Sequence, residues 1–308
     1  MDKVVLSNSL ISTFDCPKKF YFRAVKGLVP LVKREPLYLG GLYHLGREKG
    51  ESAVDVEISK VNPQDQAEAD RQYVLYSTII GMIKGAAIAF QDSSDPIIKE
   101  PEWLLPILNP LTGKASRKYM IGGRADSLIR NPGDPEDNCW TVVEEKTRGK
   151  QVTESDILKL PLDRQLNNEI MCLERARNIR ITNARYRYVV KPFIRQTKNE
   201  NVAQYCERLI ADYQERTDFY FHEEELLVDR EQVRAWGHDL WNFVHMIDFC
   251  RKNNYWHRNT SRCGEWAGCE YLPLCRGDED VSHLYKVTGH NEELSTMEAH
   301  HGFAREED

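Results

Sequence analysis

Thr141-Val142-Val143-Glu144-Glu145-Lys146-Thr147 closes an apolar stretch with a carboxylate and an ammonium two residues apart. In an extended strand successive side chains point to opposite faces, so Glu144 and Lys146 share one side. Glu145 points away and offers that side only its backbone carbonyl. The spacing predicts a pocket in which a hard-metal ligand stands beside a cation. An isolated E-x-K is more often a salt bridge at an exposed strand end, so the surroundings of this one decide between the two readings.

Upstream, Tyr119-Met120-Ile121-Gly122-Gly123-Arg124-Ala125-Asp126-Ser127-Leu128-Ile129 reads as a neighbouring strand, with Asp126 among apolar residues and small ones that permit close backbone approach. A hairpin would bring Asp126 beside Glu144. Two carboxylates, a carbonyl and waters suit Mg²⁺ or Mn²⁺. His44, in Gly40-Gly41-Leu42-Tyr43-His44, reads on its own as a hydrogen-bonded core histidine or as a metal ligand. Gln165 falls in the first turn of a helix over 161–178, where one Gln is ordinarily a solvated helix face.

Together these patches resemble the PD-(D/E)XK nuclease superfamily, in particular the RecB-like branch with a C-terminal cysteine cluster, similar to AddB nuclease domains and CRISPR-associated RecB-like exonucleases. The opening, Ser7-Asn8-Ser9-Leu10-Ile11-Ser12-Thr13-Phe14-Asp15-Cys16-Pro17-Lys18-Lys19-Phe20-Tyr21-Phe22-Arg23, is similar to that branch's start, and Gly40 to His44 to its G-x-x-x-H segment. Asp126, Glu144-x-Lys146 and Gln165-Leu166 fall where the family has its metal carboxylates, its lysine and a helix beginning Q-L. The fold the resemblance implies is α/β: a restriction-endonuclease-like core, a central mixed sheet flanked by helices, with helical additions and a Cys-ligated metal-cluster region.

It also implies that His44, Asp126, Glu144 and the carbonyl of Glu145 hold one or two Mg²⁺ or Mn²⁺ ions. Asp126, Glu144, Lys146 and Gln165 would be the catalytic set, with Lys146 orienting the attacking water. The chain departs from the family's Q-L-x-x-Y at its last position, where it has Glu169.

Eight cysteines divide into two groups by spacing. Cys139, Cys172, Cys206 and Cys250 are scattered and read as ordinary buried thiols. Cys263, Cys269 and Cys275 are evenly spaced in a loop rich in Gly and Pro. In cluster-bearing relatives the fourth ligand comes from the C-P-x-x-F segment, here Cys16, so the resemblance implies a four-thiolate iron–sulfur site of the 4Fe-4S type. Relatives close with C-x-x-C-x5-C whereas this chain has C-x5-C-x5-C. Zn²⁺ is the competing metal, with His257 able to replace one thiolate. Disulfides are disfavoured because no secretory signal opens the chain and an intracellular, cytoplasmic setting is reducing.

A chain of 308 residues can bury a substantial core, and 41% hydrophobic residues without an apolar run of transmembrane length argue against a membrane-spanning helix. Residues 1–276 read as a single nuclease domain: a helical part over 1–115, the catalytic α/β core over 116–195, and a helical part with the cysteines over 196–276. Within it the reading places helices over 7–26, 37–52 and 65–92, a Pro-rich connection over 93–115, strands over 117–130, 139–147 and 182–191, and helices over 201–222 and 230–252.

Residues 277–308 carry nine acids and two bases, a balance of −7 within a total of −6, so the body is +1. The tail reads as mobile and as a surface for a protein partner, and the near-neutral body can hold a local basic groove. Groove candidates are Lys18, Lys19, Arg23, Arg148, Lys150, Arg185 and Arg187, the last two on a strand face opposite Tyr186 and Tyr188. The expectation is a metal-dependent deoxyribonuclease, an exonuclease acting on single-stranded DNA or DNA ends. The alternatives are a nuclease-like DNA-binding subunit that cuts only with a partner, and an iron–sulfur redox protein, for which the chain lacks a flavin or nicotinamide motif.

Overall fold

Cys139–Arg148 forms the strand that its alternation predicts, and the central sheet is built around it. The computed structural model describes residues 3–32, 35–90, 97–131, 138–264, 268–279 and 281–288. The chain begins with β1 (Val4–Leu6), α1 (Asn8–Thr13), α2 (Pro17–Phe20), β2 (Leu28–Pro30), α3 (Glu35–Lys49), α4 (Glu51–Ser59) and α5 (Gln66–Ala89). Next come β3 (Ile97–Lys99), β4 (Glu102–Leu108), β5 (Ala115–Arg124), β6 (Ser127–Arg130), β7 (Cys139–Arg148), α6 (Glu154–Leu158), α7 (Arg164–Arg177) and β8 (Arg180–Val190). The last elements are α8 (Val202–Glu215), α9 (Thr217–Tyr220), β9 (Phe221–Leu227), α10 (Arg230–Lys252), α11 (Leu272–Arg276) and β10 (Tyr285–Val287).

Among the described residues the architecture is mixed α/β, with three sheets flanked by helices. A five-stranded sheet has the order β3-β6-β7-β8-β9, with β7 and β8 parallel and the other pairs antiparallel. One of its faces packs with α1, α7 and α10 around Val142, Ala184, Leu166 and Trp236. The other packs with α3, α4, α5 and α8 around Val189, Val190, Tyr43 and Ile79. A sheet covered on both faces buries side chains of both parities along its central strands, which is why Val142, Val143, Glu144 and Glu145 are all buried.

The expected strand over 117–130 is two strands in different sheets. β5 belongs to a three-stranded sheet of order β1-β5-β4, and the chain passes at Ala125–Asp126 into β6 of the central sheet. Its antiparallel partner makes the same change of sheet at Glu100–Pro101. The corner is held by Glu100 N–H on the Asp126 carbonyl (2.9 Å) and Ala125 N–H on the Pro101 carbonyl (3.2 Å). Strands that bend between two sheets make such corners. At Gly123 a Cβ would stand 2.5 Å from Trp103 Cζ2, so the absence of a side chain there lets the indole cover the strand.

Other boundaries also differ from expectation. The Pro-rich connection contains β3 and β4, the helix over 7–26 is interrupted at 14–16 and ends in a π-turn at Tyr21–Val25, and the one over 201–222 stops at Glu215 and gives way to α9 and β9. The segment over 37–52 is most of α3 and the start of α4. The N-terminal part is therefore not wholly helical, since β1 to β4 lie in it. Asp163 caps α7 by accepting from Leu166 N–H at 2.9 Å, after a 3-10 turn at Leu160–Leu162. The acidic tail is ordered at its start, where β10 pairs antiparallel with β2; residues 289–308 lie outside the described ones. Among the described residues no helix is long and apolar enough to cross a membrane.

Candidate active site

The β6–β7 ladder runs only from Arg130–Trp140 to Ser127–Val143, so the end of β7 projects past β6 while remaining paired with β8. Asp126 sits at that step. Its Oδ2 accepts the Glu145 N–H at 2.7 Å, taking the place of the missing strand partner. The N–H and C=O of an extended residue face the same neighbouring strand, so the Glu145 carbonyl is also on the Asp126 side. α3 closes the step from the other direction, and its approach is close: a Cβ on Gly40 would stand 3.2 Å from Thr147 Oγ1. This brings His44 Nδ1 to 3.3 Å from Asp126 Oδ1.

On the other flank α7 supplies Gln165, in its first turn. Gln165 Nε2 donates to Glu144 Oε1 (2.8 Å) and Glu169 Oε1 (2.9 Å), while its Oε1 accepts from Lys146 Nζ (2.9 Å). Lys146 Nζ also forms an ion pair with Glu144 Oε1. Strand periodicity thus holds: Glu144 and Lys146 meet on one face and the Glu145 side chain lies on the other. Glu144 is 2% exposed, whereas the side chains of Asp126, His44 and Lys146 are 30%, 33% and 36% exposed. The site is a half-open notch with a buried carboxylate at its base.

Burial raises the Glu144 carboxyl to about 7, with the Asp126 charge adding to the effect and Lys146 opposing it. Burial favours a neutral Lys146, but the charge and hydrogen bond of Glu144 outweigh it and keep the ammonium protonated above its usual range. Burial also acts against charge on His44 and Asp126, and here their mutual hydrogen bond wins, raising His44 and lowering Asp126. Glu169 is fully buried, and burial followed by the Glu144 charge lifts it well above the carboxylate range.

Three functional features escape the sequence reading. Glu169 joins the site as a second buried acid on the Gln165 amide; the signal was the four-residue spacing from Gln165 on one helix face. Arg187 is 2% exposed and no part of a DNA groove, because it pairs with Glu145 (3.4 Å) and Glu223 (2.5 Å). The Glu145 carboxylate also takes Tyr43 Oη at 2.7 Å and the Arg47 fork at 3.0 and 3.2 Å. These three side chains clamp the strand from behind. Tyr186 and Tyr188, on the opposite strand face, are buried at 5% and 6%.

Among the described residues no group of three or more His, Cys, Asp or Glu side chains is arranged to hold a metal ion. The donor set nonetheless fits a hard cation. Glu144 Oε2 is buried without a hydrogen-bond partner, and such an oxygen is costly unless something satisfies it. His44 and Asp126 stand on the same side of the notch.

All eight cysteines are free thiols, Cys139 half-buried rather than buried. Cys16 and the C-terminal loop meet at one seam: Asn259 N–H donates to Cys16 Sγ (3.4 Å), Arg258 Nε to Cys275 Sγ (3.3 Å) and Cys269 N–H to the Cys263 carbonyl (2.8 Å). Burial, followed by the Glu270 charge, raises the Cys269 thiol, and Cys16 adds least. Residues 265–267 of the loop lie outside the described ones.

No family model matches the chain, and no curated protein matches it. The crystal structure of SSO0001 overlaps 80% of this chain and 77% of its own at 14% identity, with a TM-score of 0.31. An overlap of that quality bears on neither fold nor function.

Proposed function

We propose that the chain is a metal-dependent deoxyribonuclease of the RecB-like PD-(D/E)XK type, an exonuclease acting on single-stranded DNA or on DNA ends. One observation carries the reading: Asp126, Glu144 and Lys146 converge in a half-open notch with a buried carboxylate oxygen left unpaired, on the strand and at the spacing that the resemblance implies. His44, Asp126, Glu144 and the Glu145 carbonyl would hold Mg²⁺ or Mn²⁺. When bound, such an ion supplies Lewis acidity to the scissile phosphate and stabilises the leaving oxygen.

The chain's own residues do the rest. Lys146 holds its proton at Nζ and presents positive charge to the phosphate oxygens as negative charge grows on them. The same Nζ orients a water for in-line attack. Gln165 is a positioning residue: by bridging Lys146 and Glu144 it fixes both. The Tyr43–Arg47–Arg187 clamp keeps β7 from rotating under the charge it carries. Cys16, Cys263, Cys269 and Cys275 would hold an iron–sulfur cluster, with zinc as the competing metal, joining the two ends of the chain; hydrolysis moves no electrons, so that role is structural.

The experiment is incubation of anaerobically purified protein with end-labelled single- and double-stranded DNA and Mn²⁺, beside Glu144→Ala. Mononucleotide or short-oligomer release by the wild type alone supports the assignment. Intact DNA with a folded, metal-loaded wild type would refute autonomous cutting and favour the partner-dependent binding subunit.

A further inference from the structure

A basic site lies apart from the notch, in a cavity of about 610 Å³ between the N-terminal opening and the cysteine region. Lys18, Lys26, Arg258 and Arg276 line it together with Tyr21 and Phe22, and no acidic side chain is among its walls. Its size falls within the roughly 300–1,000 Å³ of small-ligand pockets, yet it is an open groove, not a closed chamber. Lys18 Nζ stands 4.6 Å from the Tyr21 ring centre and 5.1 Å from that of Phe22, and Lys26 Nζ stands 5.8 Å from Tyr21. Neither lysine has a carboxylate partner among the described residues. Arg258 rests on Cys275, while Asp278 offsets Arg276. The groove therefore holds uncompensated positive charge over aromatic and apolar walls.

We propose that this groove binds single-stranded nucleic acid, with phosphates on Lys18 and Lys26 and bases against the aromatic and apolar walls. Basic grooves with interleaved aromatic side chains suit unpaired strands because every base has an apolar face while every residue of the strand carries a phosphate. A chain of sequence neighbours and hydrogen bonds links one wall of the groove to the notch. Asn259, next to Arg258, donates through its side chain to the Asp15 carbonyl (2.9 Å). The Asp15 carboxylate holds Arg164 (3.1 Å) and Arg262 (3.3 Å). Arg164 is adjacent to Gln165, which touches Lys146.

The inference rests on the nuclease reading only for its choice of probe. The test is fluorescence anisotropy with a labelled oligothymidylate across a salt series, without added divalent metal. Wild type is compared with Lys18→Glu/Lys26→Glu, with Lys26→Glu alone, and with Lys114→Glu/Lys198→Glu, which makes the same charge change at exposed loop positions remote in sequence. Losing two phosphate contacts on a single strand lowers the slope of log K against log salt by about 1.4, equivalent to about 25-fold weaker binding at 0.1 M salt if the affinities agree at 1 M. Lys26→Glu, at an exposed side chain, should give about half the change in slope.

Wild-type slopes in both groove variants would overturn the proposal, as would equal weakening in the remote variant or competition by thymidine monophosphate as effective as the oligonucleotide. Failure of the nuclease reading looks different: the wild type binds the strand through the groove but does not cut it when Mn²⁺ is added.

Discussion

Replacing Glu145 by Gln tests how β7 is held, because the substitution keeps the shape of the side chain and removes only its charge. The carboxylate receives Tyr43 at 2.7 Å, Arg47 at 3.0 and 3.2 Å, and Arg187 at 3.4 Å, on the face of β7 away from Glu144. Arg187 is 2% exposed, so its guanidinium cannot turn to water when its partner loses charge. Breaking a buried ion pair from one side costs about 3–5 kcal/mol. Glu223 remains on Arg187 Nε at 2.5 Å, which places the expected cost near the lower end, about 3 kcal/mol.

At about 2 °C per kcal/mol for a large domain, the melting temperature of Glu145→Gln should fall by about 6 °C. Circular dichroism melts of the two proteins at one pH and ionic strength measure it. Tyr43→Phe removes a neutral donor and should cost about 1–2 kcal/mol, because its loss leaves the arginine pairs intact. A Glu145→Gln melt within about 1 °C of wild type would refute the clamp as a structural element.

Other consequences are independent of that one. Burial raises Glu144 from its usual 4.5 to about 7, so the metal-free fold loses about 3 kcal/mol as pH rises from 4.5 to 7, where the unfolded chain ionises this group and the folded one resists. Glu144→Gln should flatten that part of the stability–pH curve, measured by urea titration; an unchanged slope contradicts the assignment. Glu169→Gln should be tolerated to within about 1 kcal/mol because it keeps the shape of a side chain whose charge burial already disfavours, whereas Glu169→Ala opens a cavity and should cost about 2 kcal/mol or more. Gly85→Ala places a Cβ 2.5 Å from the Phe221 ring and 2.8 Å from the Tyr213 carbonyl, so α5 and β9 must part. It should destabilise by about 1–3 kcal/mol in the same urea titration, although Ala favours helix. Cys16→Ser should lower the iron content and the thermal stability of anaerobically purified protein, while Cys139→Ser should leave the iron content unchanged.

The Glu144–Lys146 face was legible because strand alternation is geometric and survives any tertiary context. Asp126 was legible through its small neighbours. The change of sheet at Ala125 was not, because apolar residues continue on both sides of it and the corner is set by contacts with Glu100 and Pro101, distant in sequence. β4 was hidden by its prolines: Pro106 is accommodated on an edge strand beside an irregularity between Pro106 and Leu108, where a missing N–H is tolerated.

β9 was hidden by Glu223, Glu224 and Glu225, whose charge resembles a solvated helix but suits the exposed edge of a sheet. Arg187 shows the limit of alternation. The pattern placed it on the correct face, while its burial depends on helices α3 and α5 covering that face and on Glu145 lying opposite it in the parallel register. The clamp was therefore invisible to a reading that treated each strand alone.

Lys146→Ala separates metal holding from catalysis, since the lysine is not among the proposed ligands. The decisive measurement is Mn²⁺ binding by electron paramagnetic resonance and cutting of end-labelled single-stranded DNA on the same preparation, beside wild type. The account predicts Mn²⁺ retained at wild-type stoichiometry with cutting slowed by about 10²–10³-fold, the loss typical of one electrostatic donor in an active site. Cutting at the wild-type rate by a Lys146→Ala protein that still binds Mn²⁺ would contradict it.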